Sequence, residues 1–455
     1  TGMATSCITT YGPDLTLDRI TSSFVRDNLK AVFEFWQLHG VSSEGGFWNG
    51  VTIAEPHLPS PADQKSEFAQ GRQIYAYCLA AKKFPDLREG LLEAAGGGVR
   101  FMCSHFWQDS MGNKGLAAAG EAGGWIVATD PAGNWVQPAM PSYLSNSDLK
   151  TPGNREVYED AFVLLSFGQY FAETGDEAVL PWLAATMERL TNTRYFGRAA
   201  GGGFDEHASL EWELLPGAPR TQNSHMHLLE AFLTVYGATA EAAYLEEATG
   251  IVDLFFSKLF DTENGCIGEF FSADWTPDAA QGENVEPGHS FEWIWLLHEY
   301  FKRQPDDRIP AAMELLYAQA VRSLDGEFGG TYDQIRRGDG TFIKSTKRLW
   351  PQVERTKADA AMVEFSMAQG KRNVFAETQL REGLLYMFQK YAAPDGLWSD
   401  NHIRQGTMDP NETRINGPNV YHIAVALKEA ERVLELVELA GPPHGTLVHT
   451  RAQPP

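Results

Sequence analysis

The sequence predicts an all-α protein: an (α/α)6 barrel that forms a single domain with short β-hairpin loops at one rim. Three observations predict this fold. A glycine turn recurs along the chain at a nearly constant interval, and two helical segments fit between successive turns. In addition, 43% of the 455 residues are hydrophobic, which is enough material for a large core.

The recurring turn is a glycine followed closely by an aromatic or β-branched side chain. Successive turns lie 63 to 79 residues apart, and a regular period is the mark of a repeat architecture. Glycine supplies positive φ in tight turns, so each turn is expected to form a hairpin or loop. The turns are Gly45-Gly46-Phe47-Trp48, Gly123-Gly124-Trp125, Gly202-Gly203-Phe204, Gly265-Cys266-Ile267, Gly329-Gly330-Thr331-Tyr332 and Gly396-Leu397-Trp398.

Between the turns, apolar residues recur at spacings of three and four, as on one face of a helix. Each interval has room for two helices, so the chain is expected to hold about twelve. Six helix pairs close into a double ring, with inner helices buried nearly all round and outer helices buried on one face. An open helical solenoid is the alternative. The periodic segments are 162–171, 228–236, 291–301, 312–321 and 384–391.

A ring of this kind leaves a central concavity, the usual place for a ligand. We predict that the barrel spans residues 3–440. Residues 441–455 are rich in proline and glycine and are expected to form a flexible tail.

The charge of the chain limits its partners. With 37 basic and 60 acidic residues, the net charge is −23, which repels nucleic acid and anionic lipid. No apolar run is long enough to span a membrane, and the first residues lack a signal-peptide pattern. The four cysteines form no C-x-x-C pair. We therefore expect a cytoplasmic protein, monomeric or homodimeric, without nucleic-acid or membrane partners.

Two histidines occupy matching places in different repeats. His289 follows Pro287-Gly288, and His422 follows Gly417-Pro418 and Tyr421; each opens an apolar helical segment. Both are therefore expected at the mouth of the barrel. The helix dipole should lower the pKa of His289, and Glu292, three residues on, can reverse this by pairing with it. A simple helix-capping role is the alternative for His289.

Other polar and aromatic side chains stand at corresponding places. Asn223 and His227 share a helix face, and Glu230 can orient the His227 imidazole. Arg72 offers a fixed cation, Tyr158 a hydroxyl, and Trp350 a stacking ring with Glu354 beside it. A salt bridge or a core position explains each of these residues singly about as well. Because nucleotide-loop and H-E-x-x-H motifs are missing, we expect no cofactor and no metal.

Together and in this order, these motifs resemble the N-acylglucosamine 2-epimerase family, which includes cellobiose 2-epimerases and mannose isomerases. The resemblance implies an (α/α)6 barrel with His289 and His422 as catalytic residues. It also implies that Arg72, Tyr158, Asn223, His227 and Glu292 line the sugar site. Phe68 stands where the family often has tryptophan and, like Trp350, is expected to stack on the sugar. The motifs are Gly71-Arg72-Gln73, Tyr158 with Ala161-Phe162, residues 223–227, Pro287-Gly288-His289 with Glu292-Trp293, Trp350-Pro351-Gln352 with Glu354, and Tyr421-His422.

The expected reaction is a proton transfer at C2 of a reducing aldose through an enediolate. It makes the protein an aldose–ketose isomerase or a 2-epimerase, of the mannose, glucose and fructose type. His422 is expected to take the C2 proton, and His289 to be its counterpart and to help open the sugar ring. Arg72, with Tyr158 or His227, would stabilise the oxyanion.

Other functions stay open at this point. Within the family, the alternatives are an N-acylglucosamine or a cellobiose 2-epimerase. From other classes, they are a non-catalytic sugar-binding protein and an inverting glycoside hydrolase. The hydrolase would use two carboxylates about 6.5–9.5 Å apart, drawn from Asp205, Glu206, Glu292 and Glu354.

Overall fold

The computed structural model describes residues 8–137, 154–215 and 217–443. Within these ranges lie twelve long helices and the one-turn helix α4. In chain order the helices are α1 (Ser22–His39), α2 (Glu67–Lys83), α3 (Arg88–His105), α4 (Leu116–Ala119), α5 (Val157–Thr174), α6 (Leu180–Thr191), α7 (Gln222–Thr239), α8 (Ala242–Leu254), α9 (Pro287–Arg303), α10 (Ile309–Arg322), α11 (Leu349–Ala368), α12 (Val374–Lys390) and α13 (Asn419–Ala440).

The long helices form two concentric rings. Helices α2, α5, α7, α9, α11 and α13 follow one another around the axis, and the inner ring closes where α13 packs against α2. These helices are buried on almost every face, whereas the outer helices are buried on one side only. Each of α3, α6, α8, α10 and α12 packs outside the inner helix that precedes it, and α1 packs outside α13. The predicted (α/α)6 barrel is confirmed, and the open solenoid is wrong.

Short antiparallel strands connect the rings at one rim. The strands are β1 (Gly50–Thr52), β2 (Lys65–Ser66), β3 (Trp107–Gln108), β4 (Gly124–Trp125), β5 (Ala128–Thr129), β6 (Arg155–Glu156), β7 (His207–Ala208), β8 (Arg220–Thr221), β9 (Phe260–Asp261), β10 (Cys266–Ile267), β11 (Phe270–Phe271), β12 (Asn284–Val285), β13 (Gln334–Arg336), β14 (Phe342–Lys344), β15 (Lys347–Arg348), β16 (Asn401–His402) and β17 (Arg414–Asn416). They pair as β1–β17, β2–β5, β3–β4, β6–β7, β8–β11, β9–β10, β12–β13–β14 and β15–β16.

The predicted glycine turns follow the ends of outer helices at the rim that carries the strands, and two of them include strand residues: Gly124–Trp125 is β4 and Cys266–Ile267 is β10. In five of the six turns a glycine has positive φ, for example +102° at Gly45 and +91° at Gly396. The Gly123-Gly124 turn is different, because neither residue is in the left-handed region. A Cβ at Gly124 would instead collide with the ring of Trp212, so this glycine is required by close packing.

Helix-capping and first-turn residues fix the N-termini of inner helices at this rim. The Thr221 side chain accepts a hydrogen bond from the Ser224 amide and caps α7, and Pro287 occupies the first turn of α9. Every inner helix follows directly, or within a few residues, after one of the short strands. Their first two turns therefore surround the barrel axis at one end, which places the candidate site there.

The described residues leave two predictions about the ends of the barrel open. Residues 1–7 and residues 444–455 lie outside the described ranges, so the boundaries 3–440 and the flexible tail from residue 441 stay predictions. None of the described helices is long and apolar enough to cross a membrane.

Candidate active site

The nine predicted site residues all lie in the first two turns of inner helices. Three inner helices place site residues at both their second and sixth positions, which are four apart and lie on the same helix face at the rim; α5 and α9 place one at only one of these positions. Phe68 and Arg72 hold these positions in α2, Asn223 and His227 in α7, and Trp350 and Glu354 in α11. Tyr158 is the second residue of α5, Glu292 is the sixth of α9, and His289 and His422 stand in the first turns of α9 and α13.

His422 contacts a buried carboxylate and lies near a buried lysine. Its Nδ1 lies 2.6 Å from Glu354 Oε1, and the other Glu354 oxygen lies 2.8 Å from Lys357 Nζ. Burial lowers the pKa of His422 well below its usual value, and the positive charges of Arg72 and Lys357 lower it further. The imidazole is therefore uncharged at neutral pH. With Nδ1 protonated, Nε2 carries the free lone pair and can act as a base.

His289 has a different set of neighbours. Its Nδ1 lies 2.9 Å from Glu269 Oε2 and 3.3 Å from Glu286 Oε2. Burial by itself lowers the pKa of His289, but the Glu269 and Glu286 carboxylates outweigh burial and raise it to about 9. The imidazole is therefore protonated at neutral pH. The expectation that the helix dipole lowers this pKa is wrong, because two close carboxylates act more strongly than the helix terminus.

Trp350 joins the two histidines. Its ring centroid is 4.8 Å from that of His289 and 5.7 Å from that of His422, with interplanar angles of 33° and 29°. Both imidazoles therefore contact one indole at the barrel mouth. The structure brings together an uncharged and a protonated histidine around a single aromatic surface. Such a surface suits the apolar face of a sugar ring.

Arg72 and Tyr158 form the opposite wall. An Arg72 guanidinium nitrogen donates to the Tyr158 hydroxyl at 2.9 Å, and the guanidinium lies 5.3 Å from the Phe68 ring centroid and 4.6 Å from that of Phe162. Phe68, Tyr158, Asn223 and Trp350 each keep part of their surface exposed. The aromatic rings thus fix the Arg72 cation next to these partly exposed side chains. There it can stabilise negative charge that develops on a bound molecule.

The lower wall is formed by charged and polar groups. Tyr421 donates a short hydrogen bond to Glu230 Oε2, and its hydroxyl is 3.5 Å from Glu292 Oε1. His227 Nδ1 is also 3.5 Å from Glu230 Oε2, but it forms no hydrogen bond there, so orientation of this imidazole by Glu230 stays a prediction. Glu292, by contrast, does not pair with His289; its nearest charged partner is Lys357, at 4.0 Å. The predicted Glu292–His289 pair is wrong, because Glu269 and Glu286 occupy that position.

Two conspicuous residues have structural roles. His225 bonds to the Thr221 carbonyl and the Phe204 amide and is fully buried. Arg155 donates to the carbonyls of Leu210, Trp125 and Gln108 and ties rim loops together. Neither residue belongs to the candidate site.

A cavity of about 540 Å³ lies at the other end of the barrel, around the C-terminal halves of inner helices. It is lined by Lys82, Thr234 and Arg303, among others, and by Glu230. Glu230 therefore stands between this cavity and Tyr421. The catalytic candidates lie on the other side of that boundary, so we place the site at the histidine end.

Several of the same groups lie close enough together to hold a metal ion. Four sets of possible ligand atoms lie within 4.8 Å of one another among the described residues, and three of them belong to the candidate site: His227–Glu230–Glu292, Glu269–Glu286–His289 and Glu292–Glu354–His422. The Lys357 ammonium already neutralises charge between Glu292 and Glu354. In the Glu269–Glu286–His289 set, His289 Nδ1 is within hydrogen-bond distance of Glu269, whereas in the His227–Glu230–Glu292 set His227 Nδ1 has no hydrogen-bond partner in the part of the chain that the structure describes. The prediction of a metal-free site stays a prediction.

Sequence reasoning missed three groups: Glu269, Glu286 and Lys357. Glu269 is in a loop between β10 and β11, far from His289 in sequence, and nothing local marks it. Glu286 could have been found three residues before His289. Lys357 could also have been found, because it stands one turn after Glu354 in a helix whose other side chains are nearly all buried.

The fold is an α/α barrel with two buried histidines at its mouth, and comparison with known proteins identifies its family. The family model for N-acylglucosamine 2-epimerase matches residues 46–426. A mannose-6-phosphate isomerase of Rhizobium meliloti is 27% identical over 89% of this chain and 95% of its own length. A cellobiose 2-epimerase of Bacteroides fragilis is 23% identical over 71% and 76%. The crystal structure of a D-mannose isomerase matches with a TM-score of 0.74 and 20% identity, covering 93% of this chain and all of that one.

The chain belongs to the N-acylglucosamine 2-epimerase family and is an isomerase. The predicted family resemblance is confirmed.

Proposed function

We propose that this protein interconverts a neutral reducing aldose with its ketose or its C2 epimer by proton transfer at C2. The observation that carries the proposal is the pair of histidines on the Trp350 ring, one uncharged and one protonated at neutral pH. A base and an acid placed together are what proton abstraction and return beside a carbonyl require.

The charge states assign a role to each histidine. His422, uncharged and held by Glu354, takes the C2 proton of the open-chain sugar. His289, protonated and held by Glu269, donates a proton to the ring oxygen during ring opening and then serves as the counterpart of His422. Return of a proton to the opposite face of C2 gives the epimer. Transfer of the O2 hydroxyl proton to O1, with return of a proton to C1, gives the ketose. Both outcomes pass through the same enediolate.

Arg72 and Tyr158 stabilise the enediolate oxyanion. The Arg72 cation is fixed by its hydrogen bond to Tyr158 and by the surrounding rings. A positioned donor pair of this kind acts without reorganising when negative charge develops on O1. His227, whose pKa burial lowers, adds a neutral donor or acceptor. Phe68 and Trp350 supply stacking surfaces, and Asn223 and Glu292 supply polar groups for sugar hydroxyls.

We propose a neutral monosaccharide of the mannose, glucose and fructose type as substrate. Relatives are named for mannose, mannose 6-phosphate and cellobiose. Around the site the carboxylates of Glu230, Glu269, Glu286, Glu292 and Glu354 outnumber the cations. Arg348, at the mouth, already pairs with Asp333 and Glu286. A phosphate ester would meet net negative charge, so the free sugar fits better.

The distances between the candidate carboxylates give less support to the alternative of an inverting glycoside hydrolase. Ligand atoms of Glu292 and Glu354 lie within 4.8 Å of each other, closer than the roughly 6.5–9.5 Å that inversion needs. Asp205 pairs with Arg220, and Glu206 accepts two hydrogen bonds from Thr221. Asp205 and Glu206 therefore stabilise the loops and strands of the rim.

The test is incubation with a panel of sugars in deuterated water, followed by NMR of the products. The panel includes mannose, glucose, fructose, mannose 6-phosphate, cellobiose and N-acetylglucosamine. We expect turnover of a free hexose, with deuterium entering at C1 or C2. Release of reducing sugar from a glycoside without isomerisation would contradict the proposal, and so would binding of the panel with neither turnover nor C2 exchange. Preference for the phosphate ester would overturn the substrate assignment alone.

We also propose that the protein works in the cytoplasm as a monomer or homodimer, as one barrel over residues 3–440, without nucleic-acid or membrane partners. The net charge of −23 supports this, as do Cys78, Cys103 and Cys266, which are free thiols. Light scattering of the purified chain gives the oligomeric state.

A further inference from the structure

Lys357 is a fully buried lysine beneath the candidate site. Its side chain is 0% exposed, and its Nζ lies 2.8 Å from Glu354 Oε2 and 4.0 Å from Glu292 Oε1. The ammonium is also 4.0 Å from the ring centroid of Trp295. Lys357 is the ninth residue of α11, one turn deeper than Glu354 on the same helix face. It thus approaches the Glu354–His422 pair from below.

The surroundings of Lys357 are strongly acidic. Burial by itself lowers the pKa of the ammonium, but Glu354, Glu292 and Glu230 outweigh burial and raise it. The lysine therefore stays charged. A buried charge is strongly unfavourable unless it is paired. The Lys357 ammonium and the carboxylates around it therefore stabilise one another.

We propose that Lys357 is a positioning residue that holds the Glu354–His422 pair in the form that accepts the C2 proton. This inference rests on the proposed function. Glu354 has two oxygens with two different partners: Oε1 accepts from His422 Nδ1, and Oε2 faces the Lys357 ammonium. Burial and Glu292 raise the pKa of Glu354, and the Lys357 cation opposes that rise; it thereby favours the ionised carboxylate and the Nδ1 tautomer of His422. The Nε2 lone pair then faces the substrate.

The same result follows if Glu354 and His422 are treated as one unit that shares a proton. The unit works as a base only when the carboxylate is ionised and the imidazole is uncharged, a state with one net negative charge. Burial and the Glu292 and Glu230 carboxylates disfavour that state, and Lys357 favours it. Groups that face the unit from the packed helices are Arg72 on α2, Tyr158 on α5, His227 and Glu230 on α7, His289 and Glu292 on α9, and Tyr421 on α13.

The experiment compares pH profiles of kcat for the wild type and Lys357→Met, using the sugar that the wild type turns over. The acid limb is the part of the profile in which kcat falls as the pH is lowered. Loss of the cation should move this limb to higher pH by about one unit or more. At pH 7 kcat should fall about tenfold or more, with KM within about threefold, and activity should return as the pH is raised. An unmoved acid limb in a folded Lys357→Met protein would overturn the proposal, whether or not kcat falls.

Lys347→Met is the matched control. Lys347 is also 0% exposed and forms a buried ion pair, 2.9 Å from Asp325, but it lies outside the candidate site. It should lower the melting temperature and leave the acid limb in place. If it moves the limb as far as Lys357→Met does, the shift is not specific and the proposal is overturned.

Lys357→Arg keeps the test decisive if the methionine variant does not fold. It retains the cation and should keep the wild-type acid limb even if kcat falls. A limb displaced by about a unit in Lys357→Arg would overturn the proposal. Absence of turnover in the wild type would be a failure of the proposed function itself, and it is separate from every outcome above.

Discussion

His289 and His422 begin from nearly identical local settings and end with opposite charges. Each stands in the first turn of an inner helix, is buried, and contacts Trp350. His289 faces the carboxylates of Glu269 and Glu286, which raise its pKa to about 9. Burial lowers the pKa of His422, and the nearby cations of Arg72 and Lys357 lower it further. The comparison shows that the charges of the groups around each imidazole, more than its position on the helix, separate an acid from a base.

The largest expected effect comes from removing the base. We expect His422→Ala to lower kcat by about 10²- to 10⁴-fold, because the group that takes the C2 proton is lost. Solvent deuterium should stop entering at C2 to the same extent, as read by NMR. Stability should change little.

His225→Ala serves as the histidine control for that prediction. His225 bonds only to backbone groups of the rim, so its loss should lower the melting temperature while kcat stays within a few fold. Comparable kcat losses in both variants would contradict the role of His422.

A smaller effect is expected from a substitution that keeps the acid, His289, but lowers its pKa. The protonated form of His289 is present below pH 9 and is lost as the pH rises through about 9, so the wild type should lose activity on that alkaline side. Glu269→Gln removes the closest carboxylate and lowers the pKa of His289. The alkaline limb should therefore move down by about one unit.

The measurement is kcat against pH from 6 to 10, with Glu283→Gln as control. Glu283 is exposed and immediately precedes β12. Its charge is screened by solvent and should not affect the alkaline limb of the profile. An alkaline limb that stays in place in Glu269→Gln would show that His289 is not the acid.

The smallest effect is expected from metal removal. Lys357 already compensates the Glu292 and Glu354 carboxylates, and the reaction needs only proton transfer and oxyanion stabilisation. Treatment with EDTA should change kcat by less than about twofold. Loss of activity that one divalent ion restores would instead assign catalysis to one of the three histidine–glutamate sets.

The barrel was predictable because its signals are local and repeated. Helical periodicity, glycine turns and the i, i+4 pairs Asn223–His227 and Trp350–Glu354 lie within single segments of sequence. Side chains four apart share a helix face in any fold, so these pairs follow from the sequence by itself. Family motifs then indicated which helix starts face one another.

Electrostatic partners required the tertiary structure. Glu269 reaches His289 from a different loop, and Glu292 turns toward Tyr421 and Lys357, away from the histidine one turn before it. The sequence determined where both imidazoles stand on their helices. Only the closed ring decided which carboxylates and cations surround each of them, because pKa values depend on distances in space between groups far apart along the chain.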